Sequence, residues 1–439
     1  MNKYHKEDSR MIINSKSNRL FPFFIFLLIF FSFLGLGLDG GSVSPVKALV
    51  NVRIIDAVNE NPIENGVILI RGNIISAVGE GRELNIPDGA EVFDLSGKTV
   101  MPGLIDLHYH SMLDHESAYS SKTWEEPDAM VALRAANNLK TSLEAGVTTV
   151  RDIGGVRDIP GSLKKALAMK LIPGPRFFSA GRIITNSGGH AWEFSEIADG
   201  NDQILRAIRS RFPEGAPRCD LIKVTWNLPG GYTNEEIRTA VETTHRYGRK
   251  IAIHAFQPES IHACVEYGVD TIEHGWGIDS KTIPLAVKNK TIIVPTMYVV
   301  AKMLADERVK AEYQEDIYQK VMDQWQKYWI MILDHLRPYV AAGGLIALGT
   351  DCGCFPLDFD DAPNELITYK ELGLTPFQVV QAGTINAAKA LGIKERTGSL
   401  EEGKWADMII LDGNPLDDLE SLKRLNMVIL DGEIVADQR

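Results

Sequence analysis

Short runs of alternating apolar and polar residues stand near both ends of the chain. After Ala48 they read VNVRIID, GVILIRG, NIISAVGEG and AEVFDLSG, and near the C-terminus they read ADMIILDGNPL and NMVILDGEIV. An apolar residue at every second position, bounded by turn residues, is typical of a half-buried β-strand. The pattern predicts a small β-sandwich domain assembled from both ends of the chain, from residues 49–102 and 395–439.

The middle of the chain, residues 103–394, has a different pattern of apolar positions. Buried-type strands alternate there with helix-length segments such as AMVALRAANNLKTSLEAG, in which apolar residues recur every three or four positions. The predicted strands lie at residues 103–110, 147–155, 176–185, 220–226, 250–256, 271–276, 291–297 and 345–352. Eight strand–helix units close a (β/α)8 barrel, so we expect an α/β fold with a TIM barrel. The alternative is an open doubly wound sheet, although no Gly-x-Gly-x-x-Gly motif follows an early strand.

The first 48 residues have the pattern of a targeting segment. Residues 20–38 are mostly apolar and carry no charge, and a basic stretch precedes them. Small residues ending at Ala48 follow, which together predicts a secretory signal peptide. Because the uncharged run approaches the roughly 20 residues of a membrane-spanning helix, an uncleaved N-terminal membrane anchor is the alternative. Either way we expect the rest of the chain outside the cytoplasm, either secreted or periplasmic, or anchored by residues 20–38.

Composition and charge narrow the class of protein. The chain has 439 residues, of which 45% are hydrophobic and 24% charged, an ordinary globular composition that excludes a disordered chain. Its net charge of −12 argues against a nucleic-acid partner, which would call for a basic surface. The four cysteines are too few and too scattered for a disulfide framework, and Cys352-Gly-Cys354 has the wrong spacing for a C-x-x-C motif. We interpret them as packing thiols.

Polar residues that could bind metal stand at the ends of the predicted strands. They are His108, His110, Lys223, His254, His274 and Asp351. The C-terminal ends of barrel strands converge on one face, and residues two apart on a strand point to the same side. Imidazoles and a carboxylate meeting there favour zinc or a similar borderline metal. The other histidines lie off the strand ends and are interpreted as structural or surface residues: His5, His115, His245, His262 and His335.

Lys223 is unusual because Leu221, Ile222 and Val224 surround it in a strand. Burial of an ammonium group is costly, and it lowers the pKa so that the neutral amine becomes available. Carbon dioxide can add to that amine and give a carbamate, whose two oxygens could bridge two metal ions. A surface lysine that extends into solvent is the alternative interpretation.

The order of these motifs resembles the amidohydrolase superfamily. GLIDLHYH, the lysine of DLIKV, HAF, EHG and GTDCG follow one another as in its binuclear branch, and the resemblance covers nearly all of the chain after the leader. It implies that His108 and His110 hold the more buried of two divalent metal ions. It also implies that His254 and His274 hold the more exposed one and that carbamylated Lys223 bridges them. Asp351 would bind the first ion and act as the base.

Within the superfamily the chain resembles imidazolonepropionase-like, prolidase-type dipeptidases that cleave Xaa-Pro or Xaa-Arg/Lys. The similar stretches are EAGVTTVRDIGG, PGPRFFSAGRIIT, SGGHAW, GGYTNEEI and DTIEHGWGID. This likeness implies that His190 meets the substrate carboxylate and that Tyr232 polarises the scissile carbonyl. Alternatively, His190 belongs to a tight loop and Tyr232 caps a helix. The segment VTWNLPGG departs from the group, which places Trp226 and Trp276 near the pocket mouth and favours an apolar or aromatic substrate, unless both only pack the rim.

The expected activity is therefore hydrolysis of an amide C–N bond in a dipeptide or N-acyl amino acid. The resemblance implies attack by a metal-bridging hydroxide, with Asp351 as base and then acid. Hydrolysis of lactones, carbamates or cyclic amides is an alternative, and so is deamination, in which Glu273 would carry the proton. Alternation along the strand predicts that Glu273 points away from His274. A non-catalytic binding protein is a further alternative. The expected partners are a small-molecule substrate and further copies of the chain, with membrane contact only through an uncleaved leader.

Overall fold

The computed structural model describes residues 46–116, 122–214 and 218–438. The predicted leader therefore lies outside the described residues, except for its last three positions. Those three residues begin the first strand, Val46–Ile54, so a cut after Ala48 would remove part of that strand. Within the described residues, no helix combines the length and the apolar character needed to cross a membrane.

Eighteen strands and twelve α-helices are assigned in the described residues. The strands β1 to β18 are Val46–Ile54, Ile63–Arg71, Ile74–Glu80, Glu91–Asp94, Lys98–Pro102, Leu104–Tyr109, Val147–Asp152, Arg176–Ser179, Ile184–Thr185, Glu196–Ile197, Leu221–Thr225, Lys250–Ala255, Thr271–His274, Ile292–Val294, Leu345–Ile346, Met408–Asp412, Leu425–Leu430 and Glu433–Asp437. The helices α1 to α12 are Asp128–Glu144, Ile159–Ala168, Gly200–Arg211, Asn234–Arg246, Pro258–Tyr267, Ile283–Asn289, Tyr298–Ala305, Glu307–Glu312, Glu315–Ala341, Ala362–Thr368, Pro376–Gly383 and Ile385–Leu391.

The two ends of the chain meet in one mixed sheet. Its order is β18-β17-β16-β5-β1-β2-β3, with β4 added beside β1. β5 pairs in parallel with β1 and antiparallel with β16, which joins the N-terminal strands to the C-terminal ones. Neighbouring residues of β1 pack into different clusters, Leu49 into one and Ala48 into another, as expected for side chains that alternate across a sheet. The runs interpreted as strands are strands, but the described residues form a single sheet here and a two-layer sandwich is not confirmed.

The middle of the chain forms parallel sheets covered by helices, so the α/β class is correct. Strands occur in all eight predicted intervals, in sheets of order β6-β7-β8 and β10-β9-β11-β12-β13-β14-β15. Isolated backbone hydrogen bonds connect the sheet edges: Leu107 donates to Leu348 over 3.0 Å, His110 to Cys352 over 2.9 Å, and Asp220 to Ser179 over 2.8 Å. This order is consistent with a TIM barrel, although the ladder is not continuous. The third predicted strand is divided into β8 and β9 around Gly181, whose φ of 66° interrupts an extended strand.

Candidate metal centre

Three of the predicted ligands converge where β6 ends. His108 Nε2 lies 3.3 Å and His110 Nε2 3.2 Å from Asp351 Oδ1. The ligand atoms of the three residues all lie within 4.8 Å of one another. Ligands at 2.0–2.1 Å from a tetrahedral zinc ion are separated by about 3.3 Å, so the spacing suits one such ion.

The backbone around these ligands is fixed by hydrogen bonds to a buried carboxylate. Asp106 accepts the backbone N–H of His108 and of Thr350, each over 3.1 Å, and the Thr350 hydroxyl over 2.6 Å. The backbone N–H of Asp351 in turn donates to the carbonyl of His108 over 2.7 Å. Asp351 has a φ of 69°, a left-handed conformation that is uncommon for a residue other than glycine and that persists only where its surroundings impose it.

A buried ion pair supports His108 from the side opposite the cavity. Glu273 Oε2 lies 2.9 Å from His108 Nδ1, in close contact but not aligned as a hydrogen bond. Its other oxygen accepts from Arg151 over 2.7 Å and from the Thr271 hydroxyl over 2.6 Å. A carboxylate beside Nδ1 favours the tautomer with its proton there, which leaves the Nε2 lone pair for a metal.

The expected divergence of Glu273 and His274 is confirmed, since Glu273 does not line the cavity that His274 lines. Sequence analysis missed what Glu273 contacts instead. Burial alone would raise the pKa of Glu273, but Arg151 and His108 outweigh it and hold the pKa below its ordinary value. The local signal was an acidic residue directly before a predicted metal ligand.

A second pair of imidazoles meets beside the first cluster. His254 Nδ1 lies 2.8 Å from His274 Nε2, and both residues are buried. His254 Nε2 contacts Asn227 Oδ1 at 3.1 Å, so this nitrogen carries the proton and Nδ1 presents its lone pair to the cavity. His274 Nδ1 is held by the Thr296 hydroxyl at 2.7 Å. The His274 backbone also has a positive φ, 66°, which turns this strand-end side chain towards its partner.

Lys223 lies on β11 with only 2% of its surface exposed. Its Nζ has no hydrogen-bond partner among the described residues, and the side chain lines the same cavity as the four histidines and Asp351. Burial lowers the pKa of Lys223 to about 8. A buried amine without a partner is costly, so the residues fit a site in which a further group completes the environment of Lys223. The interpretation of Lys223 as a solvent-exposed lysine is therefore wrong.

Burial keeps the imidazoles of His108, His254 and His274 neutral at neutral pH. Burial lowers the pKa of His108 to about 4 and brings those of His254 and His274 well below the ordinary value. Burial alone would raise the pKa of Asp351, but His108 and His110 outweigh it and hold the pKa well below its usual range. Neutral imidazoles and an ionised carboxylate are the protonation states that bind a metal ion.

The two predicted substrate contacts have different positions. His190 lines the cavity, and its ring stacks on that of His254 with centroids 4.5 Å apart. Tyr232 does not line it: the side chain is 2% exposed and its hydroxyl donates to the Ala198 carbonyl over 2.9 Å. The structure therefore does not place Tyr232 where it could polarise a substrate carbonyl, because its one proton is already used within the protein wall.

The two tryptophans also differ from each other. Trp276 lines the cavity as expected, whereas Trp226 is buried and donates to the Tyr232 carbonyl over 2.6 Å. The expectation that Trp226 lies at the mouth of the pocket is wrong, because this hydrogen bond holds its ring behind the cavity lining. One histidine that was interpreted as structural, His335, lines the cavity from α9, with Nδ1 donating to the Ile278 carbonyl over 2.8 Å. The other described histidines interpreted as structural or surface residues contact polar partners away from the cavity; they are His115, His245 and His262.

Comparison with known proteins identifies the family of the chain. The model of the amidohydrolase family matches residues 99–435. Ochratoxinase from Aspergillus niger is 28% identical over 408 residues, covering 82% of this chain and 80% of that protein. Imidazolonepropionase from Fusobacterium nucleatum subsp. nucleatum is 25% identical over 410 residues, covering 83% and 88%. A crystal structure of a Xaa-Pro dipeptidase with bound methionine has a TM-score of 0.78 and 29% identity, covering 89% of this chain and 99% of the other. The resemblance inferred from the strand-end motifs is confirmed, and the chain belongs to the amidohydrolase family.

Proposed function

We propose that the protein is a metal-dependent hydrolase that cleaves the amide C–N bond of a dipeptide or an N-acyl amino acid. The observation that carries this proposal is the buried Lys223 amine, which has no partner in a cavity shared with four histidines and Asp351. The relatives include a Xaa-Pro dipeptidase and imidazolonepropionase, which supports hydrolysis at carbon–nitrogen bonds. In this proposal the two parallel sheets are arcs of one (β/α)8 barrel whose strand ends form the site.

Two divalent metal ions, zinc in this proposal, would occupy the centre. His108, His110 and Asp351 would hold one, His254 and His274 the other, and carbamylated Lys223 would contribute an oxygen to each. When bound, such ions supply an activated water at neutral pH and polarise a carbonyl group. In carbamylation the neutral Lys223 amine adds to carbon dioxide and releases one proton to solvent. The product is an anion at a position where an ammonium group would otherwise be buried.

Asp351 is the residue proposed to move protons. Its carboxylate is ionised at neutral pH and lies at the floor of the cavity, with 15% of its side chain exposed. It would accept a proton from the attacking water and then return that proton to the leaving amine, so one group acts in turn as base and acid.

His190 is proposed to orient the substrate. Its ring is held against His254 at the cavity wall, and the remaining ring edge could meet a substrate carboxylate. Burial lowers the pKa of His190, so at neutral pH it would act as a neutral hydrogen-bond donor. Tyr232 has no part in this proposal, because its hydroxyl is engaged with Ala198.

Deamination is the weaker candidate. A deaminase of this family would need a glutamate free to carry a proton near the substrate. Glu273 is instead fully buried between Arg151 and His108, at 2.7 and 2.9 Å. One of its oxygens accepts from Arg151 and Thr271, the other lies against His108, and the side chain lies outside the cavity lining.

The test uses the full chain, loaded with zinc in the presence of bicarbonate, against panels of dipeptides, N-acyl amino acids, lactones and carbamates. We expect release of primary or secondary amine from one class of amide, with a new carboxylate formed in equal amount. Ammonia without a new carboxylate would instead establish deamination. Cleavage confined to lactones or carbamates, by protein shown to contain two metal ions, would overturn the amide proposal and leave the metal centre intact.

A further inference from the structure

The cavity above the candidate metal centre is walled by a row of aromatic rings. The Phe256 ring stacks on His274 with centroids 4.7 Å apart and an interplanar angle of 18°. Trp276 follows at 4.9 Å from Phe256, Tyr328 at 5.7 Å from Trp276, and Trp325 at 5.6 Å from Tyr328. We call Phe256, Trp276, Tyr328 and Trp325 the aromatic ladder. Successive ring contacts connect the predicted metal ligand His274 to Trp325.

The outer half of the ladder is carried by one face of α9. Trp325, Tyr328, Met331 and His335 all line the cavity and are spaced three or four residues apart, which places them on one side of a helix. Ile330, on the opposite side of the same helix, is 50% exposed. This helix and the two before it lie between β14 and β15, so the segment that joins these two strands supplies the wall.

A second aromatic surface comes from the loops after β6 and β9. Trp124 and Phe194 line the cavity, and their rings stack with centroids 5.4 Å apart and an interplanar angle of 22°. The cavity therefore has aromatic rings on two walls that are separate in sequence. Rings of this kind favour stacked or edge-to-face contact with another ring over contact with a flexible aliphatic chain.

The charged side chains among the described lining residues are Lys223, Asp351 and Glu193. Lys223 is the only lysine or arginine among them, and it lies on the buried strand β11 at the floor. Glu193 is exposed, and the ring of Trp276 is neutral. An anionic group held against the ladder would lose its hydration without meeting a cation, which is unfavourable. A neutral group meets no such cost.

The size of the cavity matches this chemistry. Its volume is about 860 Å³. Pockets of about 300–1,000 Å³ typically enclose drug-sized ligands, so the upper part of that range leaves room beyond a small amide. A substrate that occupied only the floor would leave the ladder in contact with water.

We propose, on the basis of the proposed amide hydrolysis, that the aromatic ladder selects amides that carry a bulky, neutral aromatic group on one side of the scissile bond. Trp325 and Tyr328 of α9 are the specificity-determining residues. The aromatic group would lie along the ladder while the amide lies at the floor. The ladder would thereby contribute binding energy at a distance from the reacting atoms.

The experiment compares three substrates that share a free carboxylate: N-acetyl-L-alanine, N-(2-naphthoyl)-L-alanine and N-acetyl-L-(2-naphthyl)alanine. We expect kcat/KM of the zinc-loaded protein to be about 100-fold higher for at least one naphthyl substrate than for N-acetyl-L-alanine, the scale of discrimination that an apolar pocket gives. Trp325→Ala and Tyr328→Ala should each reduce this preference about tenfold, mainly through KM. Ile330→Ala, on the exposed face of the same helix, should leave the preference unchanged.

Equal kcat/KM for all three substrates would overturn the inference while leaving amide hydrolysis established. So would a loss in Trp325→Ala and Tyr328→Ala that is the same for every substrate, since this would indicate a general change in structure. Thermal unfolding of each variant monitors that change directly.

Binding of the uncleaved neutral probe 2-naphthamide, measured by calorimetry, separates the two proposals. If no amide in the panel is cleaved, binding of 2-naphthamide that weakens about tenfold in Trp325→Ala would support the ladder and count only against the proposed reaction. If amides are cleaved but 2-naphthamide does not bind to the wild-type protein, the ladder is rejected and the reaction stands. Absence of both cleavage and binding rejects both.

Discussion

The floor and the wall of the same cavity are built from different kinds of chain. The floor consists of strand-end residues such as His108 and Lys223, buried to within a few per cent and fixed by a parallel sheet. The wall consists of the helix α9 and of loops that carry Trp124 and Phe194. Barrels of this kind place chemistry at strand ends and vary the loops around it. Under the proposed function the floor carries the reaction and the wall the choice of substrate, so the two would be encoded in separate parts of the chain.

The difference between floor and wall predicts two kinds of mutant phenotype. A change at the floor should reduce turnover of every substrate in similar proportion, because each substrate needs the same reacting groups. A change at the wall should alter the ratio between substrates. Mutations that failed to divide in this way would show that the two regions are coupled.

The largest effect is expected for Asp351→Asn, at the floor. The amide cannot accept a proton from water, so kcat should fall about 10²- to 10⁴-fold for all substrates. Metal content, measured by mass spectrometry of the purified variant, shows whether the ligand role of Asp351 is lost with the base. A variant that keeps both metal ions and more than a tenth of the wild-type kcat would rule out Asp351 as the proton carrier.

The next effect concerns the pH dependence of reconstitution at Lys223. Its pKa of about 8 lies below the ordinary value, so the neutral amine that reacts with carbon dioxide is abundant above pH 8 and becomes tenfold scarcer with each unit below it. At a fixed concentration of dissolved carbon dioxide, metal-free protein should regain activity about 50-fold more slowly at pH 6 than at pH 8, and little faster above pH 9. A rate that still rises tenfold per unit from pH 8 to pH 10 would show an ordinary lysine, and Lys223→Ala should not respond at all.

Glu273→Gln tests whether the ion pair behind His108 belongs to the floor. The substitution keeps the shape but removes the charge that favours a proton on His108 Nδ1, so zinc affinity should fall about 10- to 100-fold. Competition with a chromogenic chelator measures this without reference to activity. Thr271→Val, which removes one hydrogen bond to the same carboxylate, serves as the milder control. An unchanged zinc affinity in Glu273→Gln would mean that Glu273 only neutralises the buried charge of Arg151 and does not support the metal ligand His108.

The floor could be predicted from the sequence because its geometry follows from local pattern. Residues two apart on a strand share a face, and parallel strands bring their ends together, so His108, His110, His254, His274 and Asp351 were placed without knowledge of any loop. Strands occur in all eight predicted intervals for the same reason. What strand pattern could not predict is the contact of Glu273 on β13 with His108 on β6.

The wall could not be predicted in the same way, because a loop residue has no periodicity to fix its direction. Trp226 and Tyr232 are expected near the substrate. In the structure the Trp226 indole donates to the Tyr232 carbonyl, and both residues lie behind the cavity lining. His335 was set aside as a helical residue, yet α9 brings it to the cavity. The likeness to the dipeptidase group implied a role for Tyr232, but it did not fix the course of the departing segment VTWNLPGG before it.

The smallest effect is expected for Tyr232→Phe, which decides between similarity and geometry. If the hydroxyl polarised a substrate carbonyl, its loss would cost at least 10²-fold in kcat, as with other oxyanion donors. Here the hydroxyl donates to Ala198, so kcat should change less than about twofold while the free energy of unfolding falls by about 1 to 2 kcal/mol. Urea unfolding and steady-state kinetics on the same preparation measure both quantities. A large loss of kcat with unchanged stability would mean that the Tyr232 hydroxyl leaves the Ala198 carbonyl when substrate binds. Tyr232 would then belong with the reacting residues of the floor.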